Sequence, residues 1–225
     1  MAQNNSRMEI TNSFFKAPSK ETDIETTVKR SRFIGSVRVA LNAEEAQTKL
    51  KEIAVKYPKA THYCWAYRIG TNNILEHCSD AGEPAGTAGR PILGALKRCE
   101  LDNTLIVVAR YFGGIKLGVR GLIDAYGEAA RLATEACEAK EMEFCIPLRL
   151  ICGYDYSQTL LTMLDKYNFG DEYRNINYGE TIEIRFEIPE IKIEEIKPVF
   201  EEMKARNFLT ALEWGSEKTV RERRI

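Results

Sequence analysis

Thr104-Leu105-Ile106-Val107-Val108-Ala109-Arg110-Tyr111-Phe112-Gly113-Gly114-Ile115-Lys116-Leu117-Gly118 is the stretch on which the fold of this 225-residue chain turns. Its first six residues are β-branched or apolar without alternation, which predicts a strand covered on both faces. The run then meets a cation, two aromatics and a glycine turn. Beyond it, Leu122, Tyr126, Ala129, Ala133 and Ala136 mark a long helix packed through small residues. The same plan occurs just upstream. Ile74 to Cys78 reads as a short strand, and Ser79-Asp80-Ala81-Gly82-Glu83-Pro84-Ala85-Gly86-Thr87-Ala88-Gly89 as a glycine loop. Pro91 then opens a helix carrying Ile92, Leu93 and Leu96.

Glycine lets backbone N–H groups converge on an anion, and a helix N-terminus adds partial positive charge. The two loops are therefore candidate sites for phosphate or a nucleic-acid backbone. Neither carries the Gly-Lys-Ser/Thr of a P-loop, and Gly113 to Arg120 is not a dinucleotide fingerprint. Turn formation and tight helix–sheet packing are the plainer explanation of such glycines, which are common turn devices.

Working outward, Thr26 to Val39 reads as one strand rich in β-branched residues. Asn42 before Ala43-Glu44-Glu45 is a helix start, with Ala46, Leu50, Ile53 and Tyr57 at helical spacing and Pro58 as its stop. Along Ala60 to Ile69, His62, Cys64 and Ala66 face one side of a strand and Tyr63, Trp65 and Tyr67 the other. From Glu143 the rhythm changes. A strand to Cys152 leads to a helix capped by Ser157, bearing Leu160, Leu164 and Tyr167 and closed by Gly170. A hairpin of Glu172 to Asn177 and Thr181 to Ile188 follows. Next comes a helix with Ile196, Phe200 and Met203, which tolerates Pro198 only in its first turn. Leu209 to Trp214 is the last strand, and Thr219 to Ile225 reads as a frayed tail. The order βαββαβ is ferredoxin-like.

Composition bounds the rest. Hydrophobic residues make up 44% and charged residues 29%, an ordinary globular balance that excludes a disordered chain. Lys+Arg is 32 and Asp+Glu 33, which excludes a uniformly basic nucleic-acid binder. The charge is unevenly distributed. Residues 1–140 hold 20 Lys/Arg against 16 Asp/Glu, and residues 141–225 hold 12 against 17. Two domains with a junction near Lys140 to Pro147 follow, the motifs lying in the positive one. The six cysteines lack CxxC spacing and read as free thiols of a reducing compartment. The first twenty residues lack an apolar signal core, and no apolar run reaches spanning length, so a soluble cytoplasmic protein with no membrane partner is expected.

The residues with candidate chemistry are few. Arg90, Lys116 and Arg120 accompany the glycine loops. Arg110-Tyr111-Phe112-Gly113-Gly114 combines phosphate contact with stacking; core packing and a carboxylate partner for Arg110 are the plainer reading. Lys29-Arg30-Ser31-Arg32 is a basic cluster that either joins this face or protects a strand edge. Asp80 and Glu83 form a candidate acidic loop site for acid–base work, set against a role as turn formers and caps. His62, Cys64, His77 and Cys78 do not have the spacing of a zinc motif. No metal, cofactor or catalytic residue is assigned.

Taken together, these residues resemble the YigZ/IMPACT family. The match is carried by Ser31-Arg32-Phe33, His62-Tyr63-Cys64-Trp65-Ala66-Tyr67 and Gly82-Glu83-Pro84-Ala85-Gly86-Thr87-Ala88-Gly89-Arg90-Pro91-Ile92-Leu93. It continues through Val107-Val108-Ala109-Arg110-Tyr111-Phe112-Gly113-Gly114-Ile115-Lys116-Leu117-Gly118 and Gly121-Leu122-Ile123-Asp124-Ala125-Tyr126. The family pattern has two adjacent acidic residues before Gly-Glu-Pro; here Asp80 is followed by Ala81. Arg120 stands where many members have glycine, and adds charge beside the loop.

The resemblance implies an α+β protein. Residues 1–140 would form an IMPACT-type N-terminal domain similar to the second domain of ribosomal protein S-five, and residues 141–225 a ferredoxin-like C-terminal domain. That pair is similar to the last two domains of elongation factor G, which face ribosomal RNA. Eukaryotic relatives regulate translation initiation. The expectation is a non-enzymatic regulator that binds RNA, the ribosome or a translation-related protein. Arg90, Arg110, Tyr111, Phe112, Gly113, Gly114, Lys116 and Arg120 would form the binding face. The alternatives are a protein-interaction regulator without nucleic acid, and an enzyme acting on a phosphorylated small molecule.

Overall fold

The computed structural model describes residues 14–167 and 174–223. The chain divides into two compact units, the first ending at Glu141 and the second starting at Met142.

In the first unit a short strand, β1 (Phe14–Pro18), is followed by β2 (Thr22–Val28) and β3 (Ser31–Val39). The single long strand expected over Thr26 to Val39 is in fact the end of one strand, a hairpin and the next strand. Lys29 and Arg30 form the two-residue turn, both with positive φ (43° and 67°). That is the backbone pattern of a primed turn, which usually calls on Asn or Gly, so the composition of the turn concealed it. Helix α1 (Ala43–Lys56) starts where Asn42 accepts a hydrogen bond from the Glu45 N–H at 2.8 Å, while the Glu45 carboxylate accepts from the Leu41 N–H at 2.9 Å. This reciprocal cap satisfies N–H groups that the first turn would leave open.

β4 (His62–Ile69), β5 (Leu75–Ser79), α2 (Gly89–Cys99), β6 (Thr104–Tyr111) and α3 (Gly118–Ala136) complete this unit. Its antiparallel sheet has the order β2-β3-β6-β4-β5. β6 is central, as its unbroken apolar run requires. Ile106 and Val108 pack with Phe33, Cys64, Ala66, Ile92, Leu122 and Tyr126 beneath α2 and α3. Leu105 and Val107 pack with Ala46, Ile53 and Tyr67 beneath α1. The alternation read along β4 holds: Cys64 and Ala66 lie under α2 and α3, and Tyr63, Trp65 and Tyr67 under α1. Helix α3 lies so close to β3 that a Cβ on Gly35 would sit 2.6 Å from the Ala129 carbonyl oxygen.

The second unit is built on β7 (Ala139–Cys152), α4 (Tyr154–Lys166), β8 (Asn175–Tyr178), β9 (Ile182–Pro189), α5 (Ile193–Ala205), β10 (Ala211–Trp214) and β11 (Thr219–Glu222). β9 lies between β7 and β8, and β10 pairs the other edge of β7, which is the ferredoxin-like order. Leu148, Leu150, Ile182, Ile184 and Phe186 pack against Leu160, Leu164, Ile196 and Phe200 of the two helices.

Three readings change in this unit. Ser157 lies inside α4 and donates to the Tyr154 carbonyl; Gly153 is the cap. Pro198 is the sixth residue of α5, beyond the first turn. Both it and Glu194, whose carbonyl it leaves unbonded, are exposed. The tail is paired rather than frayed: β11 joins β7 from Met142 to Cys145, and Arg221 donates to the buried Glu143 at 2.9 Å. Gly170, expected to close α4, lies outside the described residues. Among the described residues no helix is long and apolar enough to cross a membrane.

Gly35→Ala forces backbone apart and is expected to destabilise the protein by about 1–3 kcal/mol. Gly94→Ala on α2 meets only the far end of Arg98 and is expected to stabilise by up to about 1 kcal/mol through helix propensity. Urea midpoints of the two variants, moving in opposite directions, check the packing of α3 on β3.

Candidate functional site

β6 ends at Tyr111, and the strand alternation divides the residues there between two sides. Arg110 lies on the α3 side and is only 5% exposed. Its Nη1 donates to Glu83 Oε1 at 2.6 Å, and the Tyr126 hydroxyl donates to the same oxygen at 2.8 Å. Its Nη2 reaches Ser31 Oγ at 3.4 Å. The guanidinium also lies over two rings, Phe33 at 5.5 Å and Phe112 at 5.4 Å from their centroids. One buried cation thus joins the first glycine loop, the start of β3, α3 and the residue that opens the second loop. Arg110, expected among the phosphate contacts, faces inward and is committed to a carboxylate. The plainer of its two sequence readings describes its position.

Tyr111 lies on the other side, where its hydroxyl donates to the Pro58 carbonyl at 3.1 Å and Arg32 covers its ring at 4.3 Å. Tyr111 and Phe112 therefore do not form one stacking surface. Phe112 is 48% exposed, and its backbone N–H donates to Thr61 Oγ1 at 3.1 Å.

The first glycine loop is already occupied by an anion of the chain itself. The Asp80 carboxylate accepts from the backbone N–H groups of Gly86 (2.8 Å), Ala88 (2.9 Å) and Gly89 (2.8 Å). Burial pulls its pKa up, but these three N–H groups and the nearby Arg90 outweigh burial and hold it below the ordinary carboxylate value. The N–H groups expected to cradle a phosphate are spent on Asp80, at the start of α2, where a negative charge is favoured. Ala81, beside it, has a φ of 45°, a conformation that an aspartate or glycine tolerates better than alanine. Arg90 is exposed at the start of α2.

The second loop differs. Gly114 (φ 82°) and Gly118 (φ 75°) have open space where a Cβ would stand. Helix α3 begins at Gly118 with no side-chain cap and no acidic residue in its first turn. Gly113 is required by contact: a Cβ there would fall 2.0 Å from the Arg30 carbonyl oxygen. Its N–H donates to Ser31 Oγ at 3.2 Å. The turn that carries Lys29 and Arg30 is thereby held against the loop that carries Lys116, and both loop cations, Lys116 and Arg120, are exposed. Arg120 forms a surface pair with Asp124 at 3.2 Å, its side chain 87% exposed.

The remaining candidates lie apart or inside. His62 Nδ1 donates to the Ala81 carbonyl at 2.9 Å, which fixes its tautomer because a carbonyl only accepts. Its Nε2 is 4.0 Å from Glu83 Oε1. Cys64 donates to the Asp80 carbonyl at 2.9 Å, and burial pushes its thiol up to about 12, so it is not a thiolate at neutral pH. His77 packs on Trp65 and Tyr67, on the side of the sheet away from His62 and Cys64. The four residues weighed for metal thus do not converge. Ser31, Cys64 and Tyr126 are site residues that the sequence reading did not assign. Tyr126 has the spacing of a core position on α3, and nothing local in the sequence marks its hydroxyl.

Residues 29–134 match the family model of the Impact N-terminal domain. The chain is 35% identical over 166 residues to the IMPACT family member YvyE of Bacillus subtilis, covering 74% of this chain and 76% of that protein. It is 29% identical over 180 residues to the IMPACT family member YigZ of Escherichia coli, covering 79% and 87% respectively. A crystal structure described as that of a hypothetical protein superposes with a TM-score of 0.61 at 26% identity, over 91% of this chain and 98% of the other.

The Asp80 nest carries a pH signature. Its folded pKa lies below the unfolded value of about 3.9. Its contribution to stability is therefore complete above that pH and is lost as the pH falls through the folded value. Asp80→Asn is expected to lower stability by about 1–3 kcal/mol at neutral pH, with the gap closing as the pH falls below the ordinary carboxylate value and Asp80 takes up its proton. Urea unfolding across that range measures it; a gap independent of pH would contradict a charged Asp80.

Proposed function

The chain belongs to the IMPACT family, and from that premise we propose that it is a regulator of translation that binds RNA or the ribosome through the face around its second glycine loop. The observation that carries this reading is the contact of the Arg30 backbone with Gly113. It gathers the basic β2–β3 turn and the loop bearing Lys116 into one place. Four cations, Lys29, Arg30, Lys116 and Arg120, lie in that turn and in the loop and first helical turn beside it, all exposed. No acidic residue occurs between Arg110 and Asp124. A local positive field of this kind attracts a polyanion although the whole chain carries a formal charge of −1. The uncapped start of α3 adds the partial positive charge of a helix N-terminus.

The burial of Arg110 narrows the expected set. Phosphate contact rests on Lys29, Arg30, Lys116 and Arg120, with Arg90 placed at the other loop beside Asp80. The regulatory direction comes from membership of the family, which supports a role in translation. The acid–base alternative has little to work with: Asp80 is engaged by three backbone N–H groups, and Glu83 by Arg110 and Tyr126.

Binding to RNA should weaken with salt, because phosphate contacts release counterions. Lys116→Gln and Arg120→Gln are each expected to flatten the slope of log K against log salt by about 0.7–0.9. A titration with no binding to RNA or ribosomes at low salt would contradict the proposal. A partner that survives nuclease in a pull-down would favour protein binding instead.

A further inference from the structure

We propose that Phe112 is a stacking platform for an unpaired base, so that the RNA this face takes is single-stranded. The inference rests on the RNA reading and specifies its ligand. Three exposed apolar side chains, Phe112, Ile115 and Val119, share nine residues of chain with the exposed cations Lys116 and Arg120, each of which directly follows one of them, Ile115 or Val119. Cations alone suit a duplex backbone. Apolar surface set among them suits a strand whose bases are turned out, because a base presents a π-face and its phosphates lie alongside. In an RNA duplex the bases are already stacked on one another, and the deep major groove is closed to side chains.

The ring is prepared for that role. The guanidinium of the buried Arg110 lies over it at 5.4 Å, and Arg110 is itself held by Glu83 and by the Phe33 ring. The Phe112 N–H is tied to Thr61. The side chain is therefore fixed on its protein side, yet 48% exposed. A platform ordered before binding loses little conformational freedom when a base lands on it. Tyr111, by contrast, lies on the other side of the sheet with its hydroxyl bound to the Pro58 carbonyl, so it offers no second platform on this side.

The test compares a labelled oligouridylate of about ten nucleotides with an RNA duplex of the same length at low salt, on the full chain. Wild type is expected to prefer the single strand. Phe112→Ala is expected to weaken that binding by about 5- to 150-fold while leaving the salt slope unchanged, since no phosphate contact is lost. Phe112→Trp should keep or tighten binding. Phe112→Leu, which retains apolar bulk but has no π-face, should behave as Phe112→Ala does. Equal binding of Phe and Leu proteins would overturn the platform, as would a duplex preferred over the single strand with Phe112 variants indifferent; RNA binding itself would survive both results. Loss of a nuclease-resistant protein partner in Phe112→Ala, with oligouridylate binding intact, would reassign the patch to protein docking. Absence of binding to either RNA would remove both this inference and the reading beneath it.

Discussion

The ion pair between Arg110 and Glu83 is the interaction on which the first unit's loops depend. Both groups are buried, and a buried charge is costly unless its partner and hydrogen bonds compensate for lost water. Here Glu83 Oε1 accepts from Arg110 and from Tyr126, and Arg110 extends to Ser31. These four residues come from the first glycine loop, β6, α3 and β3. An apolar substitute could fill the same volume, yet it would not fix where each loop leaves the sheet. The directional bonds do that. The rings of Phe33, Phe112 and Tyr126 pack around them, Phe33 meeting Tyr126 edge-on at 5.2 Å.

With the loops placed this way, two similar-looking glycine segments acquire different roles. The first is closed: Asp80 occupies its N–H groups, and Cys64 and His62 are hydrogen-bonded to the carbonyls of Asp80 and Ala81. The second is open and bordered by cations, because Gly113 lets the β2–β3 turn approach to backbone contact. Glycine serves close approach at Gly113 and positive φ at Gly114 and Gly118. The same residue type therefore carries two physical demands within six positions, and only the second leaves backbone exposed to a ligand.

Much of the fold was legible because its signals are local. The alternation along β4, the apolar run of β6, the Asn42 cap and the order of elements in the second unit all follow from period and capping chemistry. The features without a local signal depend on distant residues. A Lys29-Arg30 turn is held in positive φ next to Gly113, which is more than eighty positions away. Arg221 straightens the tail by pairing Glu143 across the sheet. The candidate face was partly legible: Lys116 and Arg120 were placed by composition around glycine. Arg110 could not be told from a surface arginine, because its partner Glu83 lies in another loop. Tyr111 and Phe112 are adjacent in sequence, but the alternation at the end of β6 puts them on opposite sides.

The dependence of this region on one buried pair is most directly tested by a double-mutant cycle on unfolding free energy, with Arg110→Met, Glu83→Gln and the two combined. Arg110→Met alone leaves a carboxylate buried without its cation and should cost about 3–5 kcal/mol. The double variant should cost less than the sum of the singles by more than about 1.5 kcal/mol. Additivity of the two substitutions within about 0.5 kcal/mol would mean that Arg110 and Glu83 act independently, and that the loops are held by something else.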